Sequence, residues 1–146
     1  MQESEIDRLL QRARLRIAPR VSASDLAAEM DAGALVVDTR CQDLRQRDGE
    51  LPGAVVVERN VLEWRLDPTS PHRMPELAGA DQRVIIVCDE GYASSLAADT
   101  LRSLGLRDVT DLAGGFQAWK RRLHPARPRP QSGYPAVWHP RSERTG

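Results

Sequence analysis

Cys88 ends the apolar run Val84-Ile85-Ile86-Val87 and stands a few residues ahead of an amphipathic stretch marked by Leu96, Ala97, Leu101 and Leu104. A loop that runs from a buried strand into a helix N-terminus turns several free backbone N–H groups inward. With the helix dipole, that cradle stabilises an anion at its centre. A cysteine thiolate held there is a reactive nucleophile. The competing reading is a small buried residue that finishes an apolar strand, because free cysteine is often core. A second apolar run, Ala34-Leu35-Val36-Val37, ends in Asp38-Thr39-Arg40. In parallel α/β sheets, ligands bind beyond the carboxyl ends of the strands. Asp38 and Cys88 are therefore expected to share one site.

The elements that must position them follow from pattern. Ile6, Leu9, Leu10, Ala13 and Ile17 recur at helical spacing and predict an amphipathic helix ended before Pro19. Ser22 with Asp25 has the form of a capping box opening a short helix through Leu26, Ala27 and Met30, closed by Gly33. Ala34–Val37 and Val84–Val87 read as strands buried on both faces. Val55–Val57, after the turn Leu51-Pro52-Gly53, and Val109–Leu112 are further short strands. Gly105 stops the helix after Cys88, and Gly114-Gly115 lead into a last helix from Phe116 to Leu123. Glu58–Pro68, with Arg59, Trp64 and Arg65, reads as a short helix flanking the pocket. Short apolar strands alternating with helices predict an α/β domain with a mainly parallel sheet.

The chain divides into an N-terminal helix at 1–18, an α/β domain at 19–123, and a Pro/Arg-rich tail at 124–146, read as extended or disordered. Tyr134 and Trp138 are candidates to anchor that tail. The 146 residues suffice for a core without staples. Twenty-one basic residues balance 21 acidic ones, so charge makes no case for nucleic acid or an anionic membrane. No apolar run reaches the ~20 residues needed to span a bilayer. The charged N-terminus lacks a signal-peptide core. A reduced, cytoplasmic protein is expected, with Cys41 and Cys88 neither a disulfide framework nor part of a zinc motif.

Taken together, Asp38-Thr39-Arg40, Gly49-Glu50-Leu51-Pro52-Gly53-Ala54, Cys88-Asp89-Glu90-Gly91-Tyr92-Ala93-Ser94 and Gly114-Gly115-Phe116-Gln117-Ala118-Trp119 resemble the rhodanese family in order and spacing, from about Val21 to Leu123. The resemblance implies a single rhodanese domain, a five-stranded parallel sheet with helices on both faces. It implies that Cys88 carries a persulfide and passes the outer sulfur to an acceptor. Backbone N–H groups from Asp89 through Glu90, Gly91, Tyr92 and Ala93 to Ser94 would hold that sulfur. The donor would be a small sulfane-sulfur compound or a protein persulfide, and the acceptor a thiol, cyanide or a protein. No cofactor or metal is implied. Asp38 and Arg40 would frame the site, and Arg59 and Arg65 are candidates for contacting donor or acceptor. Arg45 and Arg47 could also reach an anionic donor, or lie on a solvated face.

The chain departs from that pattern in two places. The loop holds Asp89 and Glu90 where many active relatives have a basic residue, and such carboxylates would repel a dianion such as thiosulfate. Glu50 stands where the family usually has His. Phosphatases also place a cysteine loop before a helix, but they need Arg at the loop's end to clamp phosphate. Here Ala93 and Ser94 occupy that end, and no cation lies between Cys88 and Arg102. Cys41 is either a resolving thiol or a bystander. His72, His124 and His139 are weak candidates for a base. Two readings stay open: a persulfide sulfurtransferase, and a non-catalytic rhodanese-like module that binds a partner or senses persulfides.

Overall fold

Alternation along one strand divides the core in two. The computed structural model describes residues 2–123; the tail at 124–146, with His124, Tyr134, Trp138 and His139, lies outside the described residues. Strand β3 (Arg83–Val87) sends Val84 and Ile86 to one face of the sheet and Ile85 and Val87 to the other. All four side chains are buried, each worth about 1.5–3 kcal/mol relative to exposure. Helices α1 (Glu5–Ile17), α4 (Leu62–Leu66) and α5 (Ala93–Ser103) cover the Val84/Ile86 face through Ile17, Leu62, Leu66, Ala97 and Leu101. Helices α2 (Leu26–Asp31) and α6 (Gly115–Leu123) cover the other through Leu26 and Phe116.

The remaining strands are β1 (Leu35–Asp38), β2 (Val55–Val56) and β4 (Asp108–Asp111). The sheet is parallel with the order β2-β1-β3-β4. Its register sets Asp38 opposite Val87 and Asp111 opposite Ile86. Two buried acidic residues thus flank the strand that delivers Cys88.

Four strands are present among the described residues, against the five expected. At the β4 edge, Val21 alone bridges to Leu112. Its N–H donates to the Asp111 carbonyl at 3.0 Å, and its own carbonyl accepts from Ala113 N–H at 2.8 Å. Pro19 on one side has no N–H to extend the ladder, and the 3-10 turn Ala23–Asp25 curls the chain away on the other. The fifth strand is reduced to one residue.

Helix α1 begins as its sequence requires. Ser4 Oγ accepts from Asp7 N–H at 3.1 Å, and Leu10, Ala13 and Ile17 form the buried stripe. Arg16 donates two bonds to Asp99 of α5, at 2.8 and 2.7 Å. The capping box expected at Ser22 is absent, because the Ser22 hydroxyl pairs with Ser24 instead. Helix α3 (Gln42–Asp48) had no forecast; it has no buried residue, so it lacks the apolar stripe that pattern reading needs. None of the described helices is long and apolar enough to cross a membrane.

Candidate active site

The loop from Cys88 to Ala93 wraps around the sulfur. Cys88 Sγ, 8% exposed as a residue, accepts N–H bonds from Gly91 at 3.1 Å and Ser94 at 3.3 Å. The first turn of α6 packs against that loop. Phe116 N–H donates to the Cys88 carbonyl at 2.9 Å, and Gln117 N–H to the Asp89 carbonyl at 3.0 Å. These bonds engage the Cys88 and Asp89 carbonyls, while the Gly91 and Ser94 amides meet the sulfur.

Two glycines permit this approach. Gly91 has φ +85°, and a Cβ there would sit 2.7 Å from the Gly114 nitrogen. Gly115 has φ +62°, and a Cβ there would sit 2.6 Å from the carbonyl oxygens of Cys88 and Asp89. Gly91→Ala is expected to cost about 2–4 kcal/mol, combining left-handed strain with overpacking. Urea unfolding measures it; a midpoint equal to the parent's would mean that the loop relaxes without cost.

Behind the loop lies a polar network from distant parts of the chain. The Gly91 carbonyl accepts from Arg14 Nη2 at 2.7 Å and Arg20 Nη2 at 2.9 Å. The fully buried Asp111 carboxylate accepts from Ser94 Oγ at 2.7 Å, Ser95 Oγ at 2.8 Å and Arg20 Nε at 2.7 Å. Sequence reading missed Arg14, Arg20 and Asp111. Asp111 had a signal: Val109-Thr110-Asp111 repeats the apolar-strand-then-Asp pattern of Val36-Val37-Asp38. Arg14 had none, since it reads as one more charge on an amphipathic helix.

The loop carboxylates do not stand alone. Asp89 Oδ1 accepts from Gln117 Nε2 at 2.9 Å, and Arg47 Nη2 lies 3.8 Å from Asp89 Oδ2. Arg47 also donates to Asp48, whose carboxyl is held well below the usual carboxylate range, by Arg47 first and also by Lys120 and Gln117. Arg47 itself is pushed up chiefly by Asp48, with Asp89 and Glu90 adding in the same direction. Glu90 is half-buried, and Tyr92 is largely exposed with Arg14 over its ring at 5.4 Å.

Asp38 and Arg40 form a buried pair at 2.7 Å. Arg40 also donates to the Gly49 carbonyl at 2.9 Å and stacks on Phe116 at 3.6 Å from the ring centroid. The other forecast residues lie elsewhere. Arg59 pairs with Glu63 and Arg65 donates to the His72 carbonyl, and neither makes a hydrogen bond to the Cys88 loop among the described residues. Trp64 is 59% exposed, and Cys41 is exposed at the start of α3. Glu50 is paired loosely with Arg45 at 3.5 Å.

Residues 22–122 match the model of the rhodanese-like domain. A thiosulfate sulfurtransferase GlpE of Pseudomonas fluorescens is 33% identical over 102 residues, covering 69% of this chain and 84% of that protein. The adenylyltransferase and sulfurtransferase uba4 of Aspergillus terreus is 39% identical over 61 residues, and the match spans only 13% of that protein's length. Among solved structures, a Rhodopseudomonas palustris protein of unknown function, described as a possible tyrosine phosphatase, is 31% identical with a TM-score of 0.72, covering 84% of this chain and 93% of that one. The human single-domain sulfurtransferase TSTD1 is 25% identical with a TM-score of 0.59, covering 70% of this chain and 95% of that one.

Proposed function

We propose, on the premise that this chain belongs to the rhodanese family, that it is a sulfurtransferase working through a persulfide on Cys88. The observation that carries this reading is the pair of amides, Gly91 and Ser94, directed at Cys88 Sγ. They suit an anionic sulfur, and the relatives named as sulfurtransferases give that sulfur a task. In the first half-reaction the Cys88 thiolate attacks the sulfane sulfur of the donor. The donor's S–S bond breaks, and its electron pair leaves as sulfite from thiosulfate or as a thiolate from a persulfide. The outer sulfur is then an anion inside the loop. In the second half-reaction cyanide, a thiol or a protein thiolate attacks that sulfur, and the electron pair of the broken bond returns to Cys88. Arg59 and Arg65 stay candidate contacts for a bulky donor or acceptor. Two free thiols suit a reducing, cytoplasmic setting.

The phosphatase description of the Rhodopseudomonas protein does not transfer well. Between Cys88 and Arg102 there is no cation, and a phosphate would lack its bidentate clamp. Asp89 is held by Gln117 and lies near Arg47, so it is chiefly Glu90 that points to a donor of low charge, or a protein persulfide, over thiosulfate. Glu90→Arg is expected to raise kcat/KM for thiosulfate about fivefold, which corresponds to ~1 kcal/mol for a charge at a few ångström in water. Intact mass with peptide mapping tests the whole reading. The protein is exposed in turn to thiosulfate, a low-molecular-weight persulfide and 3-mercaptopyruvate as a negative control. One sulfur added at Cys88 and removed again by cyanide or thiol is the expected result. Failure of every donor to load a Cys88 that an alkylating agent still reaches would leave the non-catalytic binding or sensing module.

A further inference from the structure

We propose that Arg14 and Arg20 are positioning residues of the sulfur loop: by gripping the Gly91 carbonyl from behind, they aim and polarise the Tyr92 N–H toward the outer sulfur. The inference rests on the persulfide reading of Cys88 and deepens it. Both arginines lie outside the 22–122 span that matches the family model. They come from α1 and from the segment joining it to the domain.

The geometry runs through one peptide unit. The Gly91 carbonyl and the Tyr92 N–H belong to the same planar trans peptide, so they point in opposite directions. Arg14 and Arg20 hold the carbonyl at 2.7 and 2.9 Å. The Tyr92 N–H therefore faces away from them, on the side where the neighbouring Gly91 and Ser94 amides meet Cys88 Sγ. No hydrogen bond from the Tyr92 N–H is made among the described residues. It is a free donor at the place where a second sulfur would sit. Two charged donors on one carbonyl polarise that peptide and strengthen its N–H.

Charge around the loop gives this arrangement a purpose. The loop itself brings Asp89, Glu90 and Tyr92. Asp111 comes from β4, the Asp38–Arg40 pair from the end of β1, and Arg47 with Asp48 from α3. Among the described residues, only Arg14 and Arg20 put positive charge on the loop backbone itself. Burial and then Arg20 pull Arg14 below its ordinary value, while Asp111, Tyr92 and Cys88 act the other way. Arg14 thus lies within electrostatic reach of the sulfur. Asp111, bonded to Arg20, offsets the repulsion between the two guanidiniums. The cations missing from the loop sequence are supplied from beneath it.

The test uses the full chain and cysteine persulfide as donor, at varied ratios to cysteine, with the loaded fraction read by intact mass. The exchange balances: the Cys88 thiolate takes the outer sulfur, and cysteine thiolate leaves. Arg14→Met and Arg20→Met are each expected to lower the loading constant about tenfold or more, the low end of the range for hydrogen bonds to charged groups. Arg14→Lys, which keeps the charge and one donor, should recover most of the loss. Arg16→Met weakens the docking of α1 on α5 without touching the loop, and should load like the parent. Should Arg20→Met misfold, as a melt would reveal, the comparison of Met with Lys at position 14 decides alone. Parental loading in Arg14→Met, or Lys no better than Met, or equal damage from Arg16→Met, would overturn the proposal. A parent chain that takes no sulfur would overturn the persulfide reading and this inference with it.

Discussion

Cys88→Ser is expected to lose sulfur loading and transfer entirely, by about four orders of magnitude or more in rate, while melting within a few degrees of the parent. The two halves of this expectation have separate causes. A serine hydroxyl stays protonated at neutral pH and forms no bond to sulfane sulfur that an acceptor could reopen. The cradle, by contrast, does not depend on sulfur. A hydroxyl oxygen can still accept the N–H groups of Gly91 and Ser94, which now meet Sγ at 3.1 and 3.3 Å. The site is buried but small, and one atom changes, so the stability change should stay within about 1 kcal/mol. The measurement is persulfide on the intact protein, thiocyanate or persulfide product release, and a thermal melt on the same preparation. Residual transfer at a tenth of the parental rate would move the chemistry elsewhere, with Cys41 as the remaining thiol. Loss of transfer together with a collapsed melt would mean that the substitution reports on folding, not on the nucleophile.

What could be read from the sequence was what is local. Val84–Val87 running into Cys88, then a helix, needs only neighbours in the chain, and so does the hydrogen bonding of Arg40 to Asp38 two residues away. The parallel sheet followed from strand length and from apolar residues on both faces. The support behind the loop was not legible, because it is made across the chain. Arg14 meets Gly91 77 residues away, and Arg20 meets Asp111 91 residues away. Periodicity assigns Arg14 to a polar face and is silent about what that face touches, and Arg20 lies beyond the end of that helix, where no pattern speaks for it. The same blindness exaggerated the acidity of the loop. Asp89 is bonded to Gln117 from α6 and lies near Arg47 from α3, neither visible from the loop's own composition. The fifth strand failed for a related reason. Family order implied it, but Pro19 and the turn after Ser22 leave Val21 only one residue of pairing.

Asp38→Ala is expected to be strongly destabilising, by about 3–5 kcal/mol, because it leaves a buried guanidinium without its counter-ion. Asp38 is 0% exposed, and its carboxylate takes the Arg40 side chain through both oxygens and the Arg40 N–H through Oδ1. Arg40 Nη1 has no hydrogen-bond partner among the described residues; the Phe116 ring, 3.6 Å from the guanidinium carbon, stands in for one. Without Asp38, that ring and the Gly49 carbonyl alone would face a full charge. For a chain of this size the loss corresponds to a fall in Tm on the order of 10 °C. Asp38→Ala with Arg40→Met separates charge from packing: removing both partners should return much of the stability, since the cost lies mainly in the orphaned cation. A double variant no better than Asp38→Ala would show instead that the pair acts as a covalent-like brace of the loop. The consequence reaches the sulfur through one more residue. Phe116, on which Arg40 stacks, is the residue whose N–H holds the Cys88 carbonyl at 2.9 Å. Amide exchange at Phe116 and Gly91 should therefore quicken in Asp38→Ala beyond what global unfolding accounts for, and it should slow again in the double variant.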